Sequence, residues 1–404
     1  MRLLFLLFSA WTLCAQGFHV YVGALSADSV TLAWGTTKGG RENTIGRNAI
    51  SPGEATIQIA NRKVTTNASW IAIGELKSDT VYPYSVSIGG RVIGEGRVRT
   101  WPAKTNKATF FVMGDYGSGR AVQYRIATLM ADTMERLEKA GTPVRFILTT
   151  GDNLYADFPL GPNTGGDDAD WERKFFTPYE RVLRSVPFYP SLGNHDGNES
   201  EHRRDLETYL DNFFFPGPKA ERYYAFDFGG LIDFFAVDST RNTTEGRPRP
   251  NCLPGSPQET WLKSTLAASK APWKIPFYHH PIFGAGPHFA PRSKELVHLV
   301  NIFRDAGVKV VFNGHEHNFQ FTEANEATGG IRFVVTGAGG ELSKYNVRRN
   351  MAVTHTEGWA AQYHFLQVDV DGKTMRITPL SFDEMTVTRR DGSTIKMPIE
   401  VTTP

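Results

Sequence analysis

The apolar positions of the chain change rhythm once. From about residue 18 to residue 102 they form short alternating runs, such as SVTLAWG at residues 29–35, then ATIQIA, WIAIGEL and LKSDTVYPYSVSIGG. Gly, Pro, Asn and Asp break these runs, and alternation over such short segments predicts a small antiparallel sandwich. A polar, Pro-containing joint, RTWPAKTNKA, follows at residues 99–108. Beyond it the apolar runs become continuous: ATFFVMGD, VRFILTTGD, VPFYPSLGNHD, KIPFYHHP and VKVVFNGHEH. Runs of this kind suit strands buried on both faces. Between them, Val122, Ile126, Leu129, Met130, Met134 and Leu137 recur near helical spacing over residues 120–139. SPQETWLKSTL carries a helix start, with Ser256 to cap, Pro257 at the first helical position and Glu259 to close a capping box. KELVHLVNIFRDAG ends at Gly307, a residue suited to the position after a helix. YYAFDFGGLIDFFAVD and HFLQVDVDGKTMRITPL read as hairpins, the second turning at Asp371-Gly372. Strands alternating with helices, with hairpins added, predict an α/β or α+β domain with a mixed sheet. Residues 391–404 read as a loosely held tail.

Length and charge add bounds. The 404 residues suit two domains, and a net charge of +2 gives no reason to expect nucleic acid or an acidic membrane surface as partner. The opening MRLLFLLFSAWTLCAQG has one arginine before an apolar run from Leu3 to Leu13. That run is shorter than the ~20 residues a bilayer span needs, so residues 1–17 read as a leader cleaved near Ala15 or Gly17, placing the protein outside the cell or in a periplasm. Of the two cysteines, Cys14 leaves with the leader, and Cys252 alone cannot form an internal disulfide. NAS, NES and NTT are sugar-acceptor sequons. Trp34 in an early strand and the Leu76…Tyr82-x-Tyr84 arrangement resemble a fibronectin type III-like domain over residues 18–102. No titratable cluster falls there, which points to a structural or docking module.

The chemistry collects where the continuous runs stop. Asp115, then Asp152 and Tyr155, then Asn194 and His195, then His279 and His280, then His315 and His317 each follow a strand end. In open α/β sheets ligands bind at the carboxyl ends of strands. Asp115 or Asp152 alone could simply cap a helix; the ordered set of five indicates a metal site. Two cations about 3.5–4 Å apart can activate water and clamp a phosphoryl group, with carboxylates and imidazoles around them. Tyr155 is the discriminating residue. A phenol of pKa about 10 is a poor ligand for Zn²⁺ or Mg²⁺ at neutral pH, whereas a ferric ion favours anionic oxygen and deprotonates its ligand. Tyr155 therefore points to Fe(III), to activity at acidic pH and to a coloured protein.

GDYG, GDNLY, GNHD, YHHP and GHEH stand in the order found in purple acid phosphatases, within the calcineurin-like metallophosphoesterases, and the chain resembles that family over residues 106 to 385. The resemblance implies a metallophosphoesterase fold of two packed mixed β-sheets flanked by helices over residues 106–390, preceded by the small all-β sandwich. It implies Asp115, Tyr155 and His317 on Fe(III), Asp152 bridging, and Asn194, His279 and His315 on a divalent ion, with iron, zinc and manganese as candidates. His195 and His288 then bind phosphate and assist the leaving group, with Asn194 also facing substrate. The expected activity is hydrolysis of small phosphomonoesters. A phosphodiesterase or nucleotidase of the same superfamily, and a non-catalytic surface-binding protein, are the alternatives. GDYGSG and GDNLYADF look closest to the tartrate-resistant, mammalian-type branch, which lacks the N-terminal sandwich.

Other residues have plainer readings. His280 competes with His279 and reads as a wall residue, and Glu316 reads as facing solvent or a neighbouring side chain. His19, His202, His298, His355 and His364 read as surface or core. Arg241, Arg247 and Arg249, in a charged loop, read as solvated, with contact to an anionic substrate as the alternative.

Overall fold

The computed structural model describes residues 17–37, 45–155, 171–196, 206–217, 221–242, 249–288 and 295–403. The expected leader up to residue 16, His202, Arg247 and the NES sequon lie outside these residues. Short alternating runs pair as expected in the first hundred residues. His19–Leu25, Val30–Gly35 and Trp70–Ile73 form one antiparallel sheet. Arg62–Ala68, Ile50–Ile59, Val81–Ile88 and Arg91–Arg99 form another, in that order. Alternation turns one side chain in two inward, and Leu32, Trp34, Ile57, Ile59, Val86 and Val98 are fully buried in the core.

The continuous runs become the middle strands of two larger sheets. One has the order Phe188–Pro190, Val144–Thr149, Lys107–Met113, Phe365–Asp371, Thr374–Leu380, Ile399–Thr402. Its first three strands are parallel. The other sheet has nine strands among the described residues, and its parallel centre is Ile232–Ala236, Trp273–Tyr278, Val310–Asn313 and Arg332–Thr336. The sheets pack through aromatic rings. Phe110 and Phe146 of the first lie 5.3 and 5.2 Å from Phe234 of the second, and Phe146 also meets Phe226 and Phe228 edge-on. Burying each such ring contributes roughly 1.5–3 kcal/mol, and their edge-to-face geometry adds to that. This packing brings the carboxyl ends of both parallel sets to the same edge of the molecule. Gly114 N–H, just past one sheet, donates to the Thr336 carbonyl at the end of the other at 2.8 Å.

Helices run Ala121–Lys139 and Pro257–Ala268, with a shorter one at His298–Asp305 followed by Gly307 at φ 79°. Ser256 Oγ accepts from the Glu259 N–H at 3.1 Å, as a cap should. The return bond is shifted by one residue, because the Glu259 carboxylate takes the N–H of Gly255 rather than that of Ser256. No helix among the described residues is long and apolar enough to cross a membrane.

Three local expectations are corrected. Asp371 pairs with Thr374, so the hairpin loop is Gly372–Lys373, one residue later than read, with Gly372 at φ 57°. The last residues are not a loose tail, since Ile399–Thr402 is the sixth strand of its sheet and hydrogen-bonds Thr374–Ile377. The polar joint hides Trp101, 5% exposed, whose ring contacts Phe146, Tyr189, Phe226 and Phe228. Tyr84 and Tyr21 of the sandwich donate to the Arg184 and Asn212 carbonyls. The sandwich is therefore fused to the larger region through a shared core. Trp101→Ala should cost about 3–5 kcal/mol of stability, measured by urea unfolding. A change within about 0.5 kcal/mol, the range of surface substitutions, would contradict the fused core.

Candidate metal centre

Asp115, Asp152 and His315 all adopt left-handed backbone conformations, with φ of 57°, 49° and 69°. For residues with a Cβ this costs of order 1–3 kcal/mol each and persists only when surroundings enforce it. Here close backbone packing enforces it. A Cβ on Gly314 would lie 2.5 Å from the Thr150 carbonyl oxygen and 2.6 Å from Asp115 Oδ2, and one on Gly193 would collide with Asp152. Gly314 thus lets strand ends from two sheets touch, and Gly193 lets neighbouring ends of one sheet do so.

Seven side chains meet there in two trios joined by a carboxylate. Tyr155 Oη stands 3.1 Å from Asp115 Oδ1 and 3.2 Å from His317 Nε2, and those two atoms are 3.3 Å apart. Asn194 Oδ1 stands 3.0 Å from both His279 Nε2 and His315 Nδ1, which are 3.2 Å from each other. Asp152 Oδ2 lies 3.3 Å from His279 Nε2, and Asp115, Asp152 and His279 offer ligand atoms within 4.8 Å of one another. Asp115, Asp152 and His279 are fully buried. The structure thus brings together all seven residues singled out by the sequence. The donor set fits a pair of cations: one trio offers two oxygens and a nitrogen, the other two nitrogens and a neutral amide oxygen, with one carboxylate within reach of both.

The surroundings orient these atoms. His279 Nδ1–H donates to the Thr150 carbonyl at 2.8 Å, so Nε2 is the atom that faces the cluster. Asp115 Oδ2 and Asp152 Oδ1 accept from the N–H groups of His315 and His195. His280 offers a ring nitrogen within 4.8 Å of the ligand atoms of His279 and His315, and its Nδ1 lies 3.0 Å from Ser239 Oγ. His195 packs at a tilt against Tyr155 with ring centroids 4.6 Å apart, and its buried Nδ1 has no hydrogen-bond partner among the described residues. His288 is exposed, and its ring sits 4.7 Å from that of His315. Glu316 does not face solvent but is buried. Arg241 pairs with Glu295 at 2.8 Å.

Two residues inside the motifs had no role assigned from sequence. Buried Asp196 accepts from the N–H groups of Asn153, Leu154 and Gly193 and from the Asn153 amide, tying the Asp152 turn to the Asn194 turn. Asn153 Oδ1 in turn accepts from the hydroxyls of Thr149 and Tyr116. Their place in GDN and GNHD was the available signal. Burial and the charge of Asp152 push Asp196 up to about 7.

Electrostatics in the metal-free protein are those of an anionic cluster that holds protons. Burial, then Asp115, Asp152 and Glu341, raise the Tyr155 phenol well above its ordinary value. Burial alone would lower His279, but Asp152 and Asp115 outweigh it and push the imidazole up to about 9. His279 and His195 in turn hold Asp152 below the usual carboxylate range against its burial.

A family model described as calcineurin-like phosphoesterase matches residues 108–319. Purple acid phosphatase 17 of Arabidopsis thaliana is 27% identical over 278 residues, covering 61% of this chain and 74% of that protein. Tartrate-resistant acid phosphatase type 5 of Rattus norvegicus is 26% identical over 310 residues, covering 69% and 88%. In fold the chain is similar to purple acid phosphatase PPD1 from yellow lupin (Lupinus luteus) seeds, with a TM-score of 0.67 at 15% identity over 95% of this chain and 74% of that one. It is also similar to the structure of PhoD, with a TM-score of 0.65 at 15% identity over 96% and 92%.

A cation entering the cluster must displace the protons on His279 and Tyr155. Because His279 is held protonated up to about pH 9, apparent metal affinity should rise with pH toward 9 and fall on acidification. Adding Zn²⁺ to metal-free protein in weak buffer at neutral pH should release protons. A pH-independent affinity with no proton release would contradict this electrostatic picture.

Proposed function

From a chain that belongs to the calcineurin-like phosphoesterase family, and is a phosphoester hydrolase, we infer an acid phosphatase acting on small phosphomonoesters with an Fe(III)–M(II) centre. Asp115, Tyr155 and His317 would hold the ferric ion. Asn194, His279 and His315 would hold iron, zinc or manganese in the divalent state, with Asp152 shared. The observation that carries this reading is the position of Tyr155 Oη, 3.1 Å from Asp115 Oδ1 and 3.2 Å from His317 Nε2. A phenol whose proton is held so firmly by burial and by carboxylates ionises only beside a strongly charged cation.

When bound, such a cation pair supplies Lewis acidity that acidifies the attacking water and offsets charge on the phosphoryl oxygens. The chain's own residues supply the rest. Asn194 holds its site without adding negative charge that would repel a phosphate. His195 is fixed by the ring of Tyr155 and by its own N–H on Asp152, and its imidazole would serve the phosphate or the leaving oxygen. His288 overlooks the His315 side and donates a hydrogen bond or proton there. The leader pattern supports export, and the seven strands in sheets of three and four support the fibronectin type III-like reading of the N-terminal sandwich as a docking module.

The iron-loaded protein should carry two metal ions and a visible phenolate-to-iron band, lost in Tyr155→Phe, and should hydrolyse a chromogenic monoester faster than the matching bis-ester. Absence of the band, or its survival in Tyr155→Phe, overturns the ferric assignment. A faster bis-ester reaction selects the phosphodiesterase reading. Fewer than one ion per chain without turnover selects the surface-binding one.

A further inference from the structure

Glu316 lies between His315 and His317 in sequence, yet its carboxylate serves a different part of the molecule. It is 1% exposed and sits against the segment of residues 281–288. Glu316 Oε1 accepts from the His288 N–H at 3.1 Å, and Oε2 stands 3.7 Å from His288 Nδ1. Oε2 has no hydrogen-bond partner among the described residues. The loop is shaped around this carboxylate: a Cβ on Gly286 would collide with Oε2, and one on Gly284 would lie 3.4 Å from Glu316 Cγ. Two further bonds hold the loop's middle, Ala285 N–H to Gln320 Oε1 at 2.8 Å and Asn350 Nδ2 to the Ala285 carbonyl at 2.9 Å. His288 is held by Glu316. The His288 imidazole is half exposed, and its ring lies 4.7 Å from that of His315 and 6.3 Å from that of His317.

We propose that Glu316 is a positioning residue, which fixes the backbone at His288 and turns its imidazole toward the phosphate group of the substrate. The inference rests on the reading of His288 as a substrate-facing group. A buried carboxylate with one hydrogen bond is costly, so its second oxygen favours the arrangement that keeps His288 Nδ1 near. Without it, this half-exposed imidazole is free to sample other rotamers, and a misplacement of about 1 Å can cost about 10²-fold in rate. Glu316 acts only through His288 and has no separate contact with substrate.

The test is a double-mutant cycle in the metal-loaded protein, using Glu316→Gln, His288→Ala and the double variant, with kcat, KM, phosphate inhibition and metal content measured for each. Glu316→Gln should keep wild-type metal content and lower kcat/KM for a monoester by about 10-fold, at the lower end of the range for residues that orient a site. In the His288→Ala background the same change should alter kcat/KM by less than about 2-fold, the scatter of additive effects. Equal losses in the two backgrounds, no loss in either, or loss of metal in Glu316→Gln would overturn the proposal. Amide hydrogen exchange supplies a readout independent of turnover, since Glu316→Ala should speed exchange at His288 and leave Ala285, held by Gln320, protected. Unchanged exchange at His288 also overturns the proposal. If His288→Ala retains full kcat/KM, the substrate-facing reading of His288 fails, while the exchange result still reports on the Glu316 contact.

Discussion

Two carboxylates that water cannot reach set the terms for the rest of this molecule. Asp115 and Asp152 sit fully buried at the ends of adjacent parallel strands, where an unpaired charge is costly. Each takes a backbone N–H from a strand end elsewhere, Asp115 from His315 and Asp152 from His195. Histidines and a phenol crowd the remaining lone pairs. That crowding makes chemical sense only for a site that takes positive charge. The left-handed backbone at three of the positions is the local cost of holding it together, and the aromatic packing of the two sheets offsets that cost.

The same constraint explains why the motifs read as they do. A glycine precedes each of Asp115, Asp152, Asn194 and His315 because neighbouring backbone or side-chain atoms there leave no room for a Cβ. Asn153 and Asp196 fill the space behind them with a hydrogen-bond lattice rather than with apolar packing. The ligands come from two sheets, so their geometry depends on how Phe110 and Phe146 seat against Phe234.

Much of this was legible in the sequence, because the signals were local. Continuous apolar runs mark buried parallel strands, and the polar residue at the end of each run lands at the shared edge whatever the loops do. Ser256 and Gly307 mark helix ends through their own backbone needs. What was not legible depends on distant partners. Trp101 sits among polar neighbours, and its burial comes from Phe146, Tyr189, Phe226 and Phe228. The final strand pairs only because Thr374–Leu380 presents a free edge to it. Glu316 lies between two residues that face the cluster, and its burial is decided by a loop about thirty residues earlier. The hairpin slipped by one residue because Asp371 still has a ladder partner in Thr374.

We read this cluster as a two-metal site with iron on the tyrosine side. Anomalous X-ray diffraction from crystals of the metal-loaded protein, collected on either side of the iron absorption edge, tests it most directly. An iron peak should appear enclosed by Asp115, Tyr155 and His317, and a second metal peak enclosed by Asn194, His279 and His315. An iron peak remote from Tyr155, or a single metal elsewhere with the seven side chains bonded only to one another, would contradict it.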